Sequence, residues 1–194
     1  VLRSRGKYQE AENIALQALE QEIQLYGEDH PRVTTALSNR SLFLLDLARY
    51  HEAAEQYRII VENNRRQLGP DHLYVGFALS SLSLALMEDG KHEESIPVID
   101  EALMILQKAV GEEHRYYAMS LAIKGEALLY LKRGQAIPVL KRSLGILTNT
   151  VGRDHPNTAK VLTILGRAQF NTGDYEAAEL SYREALNIQR SSLA

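Results

Sequence analysis

A four-residue motif that returns four times is the feature of this sequence that most restricts its fold. Each copy consists of a glycine, a variable residue, an acidic residue and a histidine. The histidines are His30, His72, His114 and His155, so successive copies lie 42, 42 and 41 residues apart. A period of this length is typical of repeat architectures, in which each unit buries its apolar face against its neighbours.

A second marker lies about 20 residues after each repeat histidine. Its copies begin at Tyr50, His92, Arg133 and Tyr175, and an earlier copy begins at Tyr8. Three residues into each copy stands a small residue: Ala11, Ala53, Ser95, Ala136 and Ala178. The shortened third interval predicts a one-residue deletion near Leu131 to Gly134, in a turn, because turns tolerate deletions better than helices do.

The segments between the markers have the apolar spacing of helices. The stretch from Arg32 to Tyr50 shows it at Val33, Ala36, Leu37, Leu44 and Leu47. The acidic residue before each repeat histidine predicts a helix start, and six glycines predict helix ends: Gly27, Gly69, Gly90, Gly111, Gly152 and Gly173. We therefore predict an all-α chain of nine helices. We call those after a repeat histidine A helices and those after the second marker B helices.

Glycine also stands inside two predicted A helices. Eleven residues after the repeat histidines lie Ser41, Ser83, Gly125 and Gly166. A glycine within a helix costs about 1 kcal/mol relative to alanine. We therefore expect a close neighbouring helix at these positions.

Composition excludes several function classes. The 194 residues carry a net charge of −3 and include no cysteine, which excludes disulfides, thiolate zinc sites and cysteine nucleophiles. The mild acidity argues against nucleic acid as a partner, and no apolar run approaches the ~18 residues of a membrane span.

Neither a nucleophile elbow nor a phosphate-binding glycine-rich loop occurs. One histidine per repeat is too widely spaced to converge on a metal ion. We expect a non-catalytic cytoplasmic protein with no cofactor and no metal.

The markers resemble those of tetratricopeptide repeats, in the long-helix form found in kinesin light chains. The resemblance is carried by Gly6-Lys7-Tyr8-Gln9-Glu10-Ala11-Glu12, by Ala18-Leu19 and by Gly27 to Pro31. It implies a right-handed α-solenoid of antiparallel helix pairs whose A helices line a concave, peptide-binding groove. We expect one solenoid over residues 1–194, with repeat borders near 6–27, 28–69, 70–111, 112–152 and 153–194.

The family register assigns the groove floor to four positions of each A helix. The first two sets are Thr35, Ser38, Asn39 and Leu42, then Phe77, Ser80, Ser81 and Leu84. The last two are Met119, Ala122, Ile123 and Glu126, then Lys160, Thr163, Ile164 and Arg167. The first three sets are mostly apolar or small and the fourth is basic, so the expected ligand is a protein segment with a bulky apolar residue beside an acidic one.

The sequence leaves two alternatives open, one on the function and one on the groove. The chain is expected to be an interaction scaffold that binds an extended peptide or partner helix. The alternative is a regulatory array within a larger enzyme, such as a bacterial signalling kinase or ATPase. The groove is either free or filled by further helices of the same protein. We also expect a piece of a longer array, whose apolar ends promote end-to-end association.

Overall fold

The computed structural model describes residues 7–191, which form nine helices and no strand. The helices are α1 (Tyr8–Tyr26), α2 (Pro31–Asp46), α3 (Tyr50–Leu68), α4 (Leu73–Glu88), α5 (His92–Val110), α6 (Arg115–Tyr130), α7 (Ala136–Thr150), α8 (Pro156–Asn171) and α9 (Tyr175–Ser191). The predicted alternation of B and A helices is confirmed over these residues. Within them, no helix is both long and apolar enough to cross a membrane.

The chain divides into two compact units, with the boundary inside α5. The first unit ends at Val98 and the second begins at Ile99. In the first unit α2 packs against α1 and α3, and α3 packs against α4. In the second unit α7 packs against α6 and α8, and α8 packs against α9. The prediction of one continuous solenoid stays a prediction.

A histidine caps the N-terminus of every A helix. Nδ1 of His30 accepts a hydrogen bond of 3.3 Å from the backbone N–H of Arg32. The same bond, at 3.2, 3.2 and 3.1 Å, is accepted by His72, His114 and His155. A side-chain acceptor in this position satisfies one of the backbone donors that a helix leaves free at its start. The prediction that the preceding acidic residue marks the start was therefore wrong by one residue.

Left-handed turn residues end the helices, as predicted. All six predicted glycines have φ between 79° and 95°. Among the residues that the structure describes, two others share this conformation, Ala48 with φ 57° and Lys132 with φ 55°. They occupy the turn position that Gly90 and Gly173 hold in the other repeats. An L side chain in this region costs roughly 1–2 kcal/mol, so these two turns are strained.

Close helix packing explains the two glycines inside A helices. A Cβ atom added to Gly125 would lie 2.6 Å from Cγ of Leu140. One added to Gly166 would lie 3.0 Å from Cε1 of Tyr182. The predicted close neighbour is confirmed at both positions, and in each case it belongs to the next B helix.

The one-residue deletion lies between Arg133 and Ala136, immediately before α7. In α3 the N–H of Ala53 donates to the carbonyl of Arg49, four residues back, at 3.0 Å. In the third repeat the N–H of Ala136 donates to the carbonyl of Arg133, only three residues back, at 3.2 Å. Helix α7 has 15 residues, whereas α3 and α5 have 19. The deletion thus lies at the end of the predicted stretch, Leu131 to Gly134, in the turn before α7.

Candidate binding groove

Six of the predicted site residues line one groove of the first unit, between α2 and α4. They are Thr35, Ser38, Asn39 and Leu42 on α2, with Phe77 and Ser81 on α4. Residues at this spacing share one face of a helix, which is why each set points the same way. The groove has a volume of about 480 Å³. We call it the α2–α4 groove.

The floor of the α2–α4 groove is formed by α3, a B helix to which the sequence assigned no groove residue. It consists of the α3 residues Tyr57, Ile60, Asn64, Gln67 and Leu68. The side-chain amide of Asn64 donates to the carbonyl of Tyr74 at 3.2 Å, and that of Gln67 donates to the carbonyl of Asp29 at 2.6 Å. These bonds hold α3 against the starts of both A helices. Amide residues on the inner face of a B helix were the signal that could have revealed this floor.

None of the described side chains that line the α2–α4 groove carries a charge. Its apolar side is formed by Leu42, which is 41% exposed, and by Tyr74, which is 55% exposed. The ring centroids of Tyr74 and Phe77 lie 6.1 Å apart in a tilted arrangement. Asn39 is exposed on α2, the helix that carries Leu42, and its amide can both donate and accept. The groove can therefore hold an apolar side chain and bond to a main chain.

Two predicted residues of α4 lie outside this groove. Ser80 and Leu84 are half-buried, and neither belongs to the groove lining. The hydroxyl of Ser80 donates to the carbonyl of Gly76 at 2.9 Å, within its own helix. On the far side of α2 a second, larger groove lies against α1, and it shares Thr35, Asn39 and Leu42 with the first.

In the second unit an ion pair joins the predicted residues of α6 and α8. Arg167 on α8 forms a salt bridge and hydrogen bond with Glu126 on α6. Its guanidinium also lies 5.2 Å from the ring centroid of Tyr130, a cation–π contact. Burial, the largest single effect, opposes the charged form of Arg167, but its hydrogen bond to Glu126 and the attraction of Glu126 and Tyr130 together outweigh burial and raise the pKa of the guanidinium. Arg167 is therefore engaged within the protein.

The remaining predicted residues of the second unit differ in accessibility. Ala122 is buried, and Met119 and Ile123 are half-buried on α6. Lys160 and Thr163 are exposed on α8, and the Thr163 hydroxyl donates to the carbonyl of Ala159 at 2.9 Å. Of the two cations that the sequence assigned to a ligand carboxylate, Lys160 is thus the exposed one.

Comparisons with known proteins agree with this geometry. Among solved structures, TPR-like repeats of a kinesin light chain candidate from Podosopora anserina superpose with a TM-score of 0.74. They are 19% identical, over 98% of this chain and 91% of that one. BtubC (BKLC) from P. vanneervenii superposes with a TM-score of 0.76 at 21% identity, over 100% of this chain and 77% of that one. At these identities the likeness shows the fold, a helical solenoid of the TPR type.

Sequence comparison shows the family. A search of curated proteins finds no match. A model for the tetratricopeptide repeat matches residues 1–63 and 124–191, and a second tetratricopeptide repeat model matches residues 78–116. These matches cover most of the sequence. They agree with the repeat turns and the helix pairs described above. The chain therefore belongs to the tetratricopeptide repeat family.

Proposed function

We propose that this protein is a non-catalytic interaction scaffold that binds an extended peptide or a partner helix in the α2–α4 groove. The observation that carries the proposal is the convergence of six predicted residues on one uncharged groove with a bonded floor. A groove of about 480 Å³ accommodates one or two large side chains of a ligand. Concave, mainly apolar sites with a few polar groups are the usual form of binding sites in proteins.

The chemistry of the groove favours a ligand with a bulky, uncharged residue. Burying a charged side chain beside Leu42 and Phe77 would carry a desolvation penalty, since no lining residue offers an opposite charge. The Tyr74–Phe77 pair offers ring faces and edges to an apolar or aromatic side chain. Asn39 would bond to the ligand backbone and so select for an extended conformation.

An acidic ligand residue would have to be recognised elsewhere. In the second unit Arg167 is paired with Glu126, so a ligand carboxylate would compete with that pair. The exposed ammonium group of Lys160 would bind a ligand carboxylate at a lower free-energy cost. A disordered peptide must also be ordered on binding, and we expect affinities in the micromolar range or weaker.

The test is peptide binding by groove variants. Peptides selected by display against the protein should lose affinity when Phe77→Ala removes the apolar wall. An exposed aromatic residue outside the groove, Phe170, which is 57% exposed, provides the matched control as Phe170→Ala. Asn39→Ala should weaken binding by about 0.5–1.5 kcal/mol, the net contribution of one hydrogen bond.

The outcome decides between the groove and other surfaces. Loss of affinity in Phe77→Ala with retention in Phe170→Ala supports the proposal, provided that circular dichroism shows both variants folded. Retention of affinity in both Phe77→Ala and Asn39→Ala would contradict it.

A further inference from the structure

Two neighbouring asparagines on α3 stand where two other B helices carry apolar residues. Asn63 and Asn64 lie 13 and 14 residues after Tyr50, the start of their marker copy. At the same distances from the start of their own copies, α5 and α7 hold Ile105 and Leu106, then Ile146 and Leu147. Those four side chains are at most 5% exposed. A buried amide in place of a buried hydrocarbon costs free energy unless its hydrogen bonds are made.

Asn63 makes hydrogen bonds at both ends of its side-chain amide. Its Nδ2 donates to Oγ1 of Thr34 at 3.3 Å, and its Oδ1 accepts from Nη2 of Arg66 at 2.6 Å. The residue is 3% exposed and does not belong to the lining of the α2–α4 groove. Bonds within the protein therefore account for Asn63.

Asn64 makes a hydrogen bond at only one end of its side-chain amide. The amide nitrogen donates to the carbonyl of Tyr74 at 3.2 Å, and because a carbonyl can only accept, this bond fixes which end is the oxygen. Among the described residues, none donates to that oxygen, and the oxygen is not sealed from solvent. Asn64 is 8% exposed and lines the α2–α4 groove. The floor of the groove therefore presents an open acceptor.

A second open polar group lies on the α4 side of the same groove. The half-buried Ser81 lines it, and within the described part of the chain its hydroxyl has no partner. The hydroxyl of the preceding Ser80, in contrast, is bonded within its own helix. A hydroxyl can both donate and accept. The groove thus combines an acceptor and a hydroxyl with uncharged walls.

We propose that Asn64 makes the α2–α4 groove selective for a ligand side chain that ends in a carboxamide, that of glutamine or asparagine. A carboxamide has N–H donors for the Asn64 oxygen and a carbonyl oxygen that the Ser81 hydroxyl can bind. The charged donors of lysine and arginine are disfavoured, because none of the described lining side chains offers an opposite charge. A purely apolar side chain would cover the Asn64 oxygen without bonding to it, which is costly. The inference rests on the proposed function, since it names the ligand class of the same groove.

The experiment is parallel display selection of one random peptide library against the parent, Asn64→Leu and Asn63→Ile. Both replacements are residues that α5 and α7 bury at these positions, so we expect the variants to fold, as circular dichroism would check. The parent and the control Asn63→Ile should enrich peptides that share a glutamine or asparagine. Asn64→Leu should instead enrich leucine or methionine at that peptide position.

A synthetic peptide pair then measures the size of the effect. The pair consists of the peptide most enriched by the parent and the same peptide with methionine in place of the shared carboxamide residue. Methionine should weaken binding to the parent about fivefold, the net effect of one neutral hydrogen bond, and should not weaken binding to Asn64→Leu. The difference between the two ratios is the coupling between Asn64 and the ligand side chain, which a merely structural role of Asn64 would not produce.

Enrichment of apolar residues without a carboxamide by the parent would overturn the inference, as would an equal effect of methionine on the parent and on Asn64→Leu. The Phe77→Ala variant separates this failure from that of the proposed function. If Phe77→Ala weakens binding while Asn64→Leu leaves the peptide preference unchanged, the groove binds peptides and only the role of Asn64 is refuted. If neither change affects binding, both proposals are refuted.

Discussion

A buried carboxylate in the first unit provides the sharpest test of how the repeats are held together. Glu12 on α1 is 2% exposed. Its Oε1 accepts a hydrogen bond of 2.9 Å from Nε of Arg40 on α2, and Nη2 of the same guanidinium lies 2.8 Å from that oxygen in a salt bridge. Nη1 of Arg49, in the following turn, lies 3.5 Å away. The Glu12–Arg40 ion pair therefore joins α1 and α2 at a largely buried contact.

The following repeat shows which apolar residues can take the place of this ion pair. One repeat later, the positions of Glu12 and Arg40 are occupied by Ala54 and Leu82, which are 0% and 6% exposed. Glu12→Ala alone leaves Arg40 without its partner in a site where its side chain is 13% exposed, and should cost about 3–5 kcal/mol. The double variant Glu12→Ala, Arg40→Leu reproduces the apolar arrangement, and should be at least as stable as the parent.

The assay is urea unfolding followed by circular dichroism for the parent, the two single variants and the double variant. Amide hydrogen exchange in α1 and α2 should accompany it, because repeat proteins can open locally. The reasoning would be refuted if Glu12→Ala cost less than about 1 kcal/mol, or if the double variant were as unstable as the sum of the single changes.

Further predictions concern the caps, the packing and the charges. His72→Ala should destabilise by about 1 kcal/mol in urea unfolding, while His72→Asn, which restores a cap acceptor, should not. Gly125→Ala should destabilise by about 1–3 kcal/mol through overlap with the facing leucine, whereas Gly145→Ala, in open space on α7, should stabilise by up to about 1 kcal/mol. Leu79→Ala, at a site 3% exposed, should cost about 2–5 kcal/mol. A hydrogen bond from an arginine holds the pKa of Glu52 below its usual value, so its stabilisation is present at neutral pH and lost as the pH falls through that lowered pKa. Because its side chain is half exposed, the loss should stay below about 1 kcal/mol and be absent in Glu52→Gln when stability is compared at neutral and acidic pH.

The fold was predictable because its determinants are local and repeated. Glycine at a helix end and small residues at a helix contact impose the same geometry wherever they recur, so four copies of a weak signal become a strong one. Gly125 and Gly166 show this best. Because glycine lowers the stability of a helix, its presence there predicted a close neighbour, and the neighbours are Leu140 and Tyr182.

The missed features depend on atoms that the repeat pattern does not specify. The cap falls on His72 and not on Asp71 because the imidazole Nδ1 reaches a backbone N–H, which composition alone does not indicate. Arg167 was expected to face a ligand, yet it forms an ion pair with Glu126 on the preceding A helix. Lys124, which stands where two other repeats carry leucine, pairs with Asp100 at 2.7 Å. Pairing between helices is set by three-dimensional register, which a single sequence reveals only in part.

The most direct test of the central claim is to locate a bound peptide by photocrosslinking. A benzophenone amino acid would replace Phe77 in the α2–α4 groove and, in a separate control protein, the exposed Phe170. The account predicts that a display-selected peptide crosslinks at position 77 and not at position 170, and that unlabelled peptide competes. Crosslinking at position 170 alone, or competition-resistant crosslinking at both positions, would contradict the claim that the groove is the binding site.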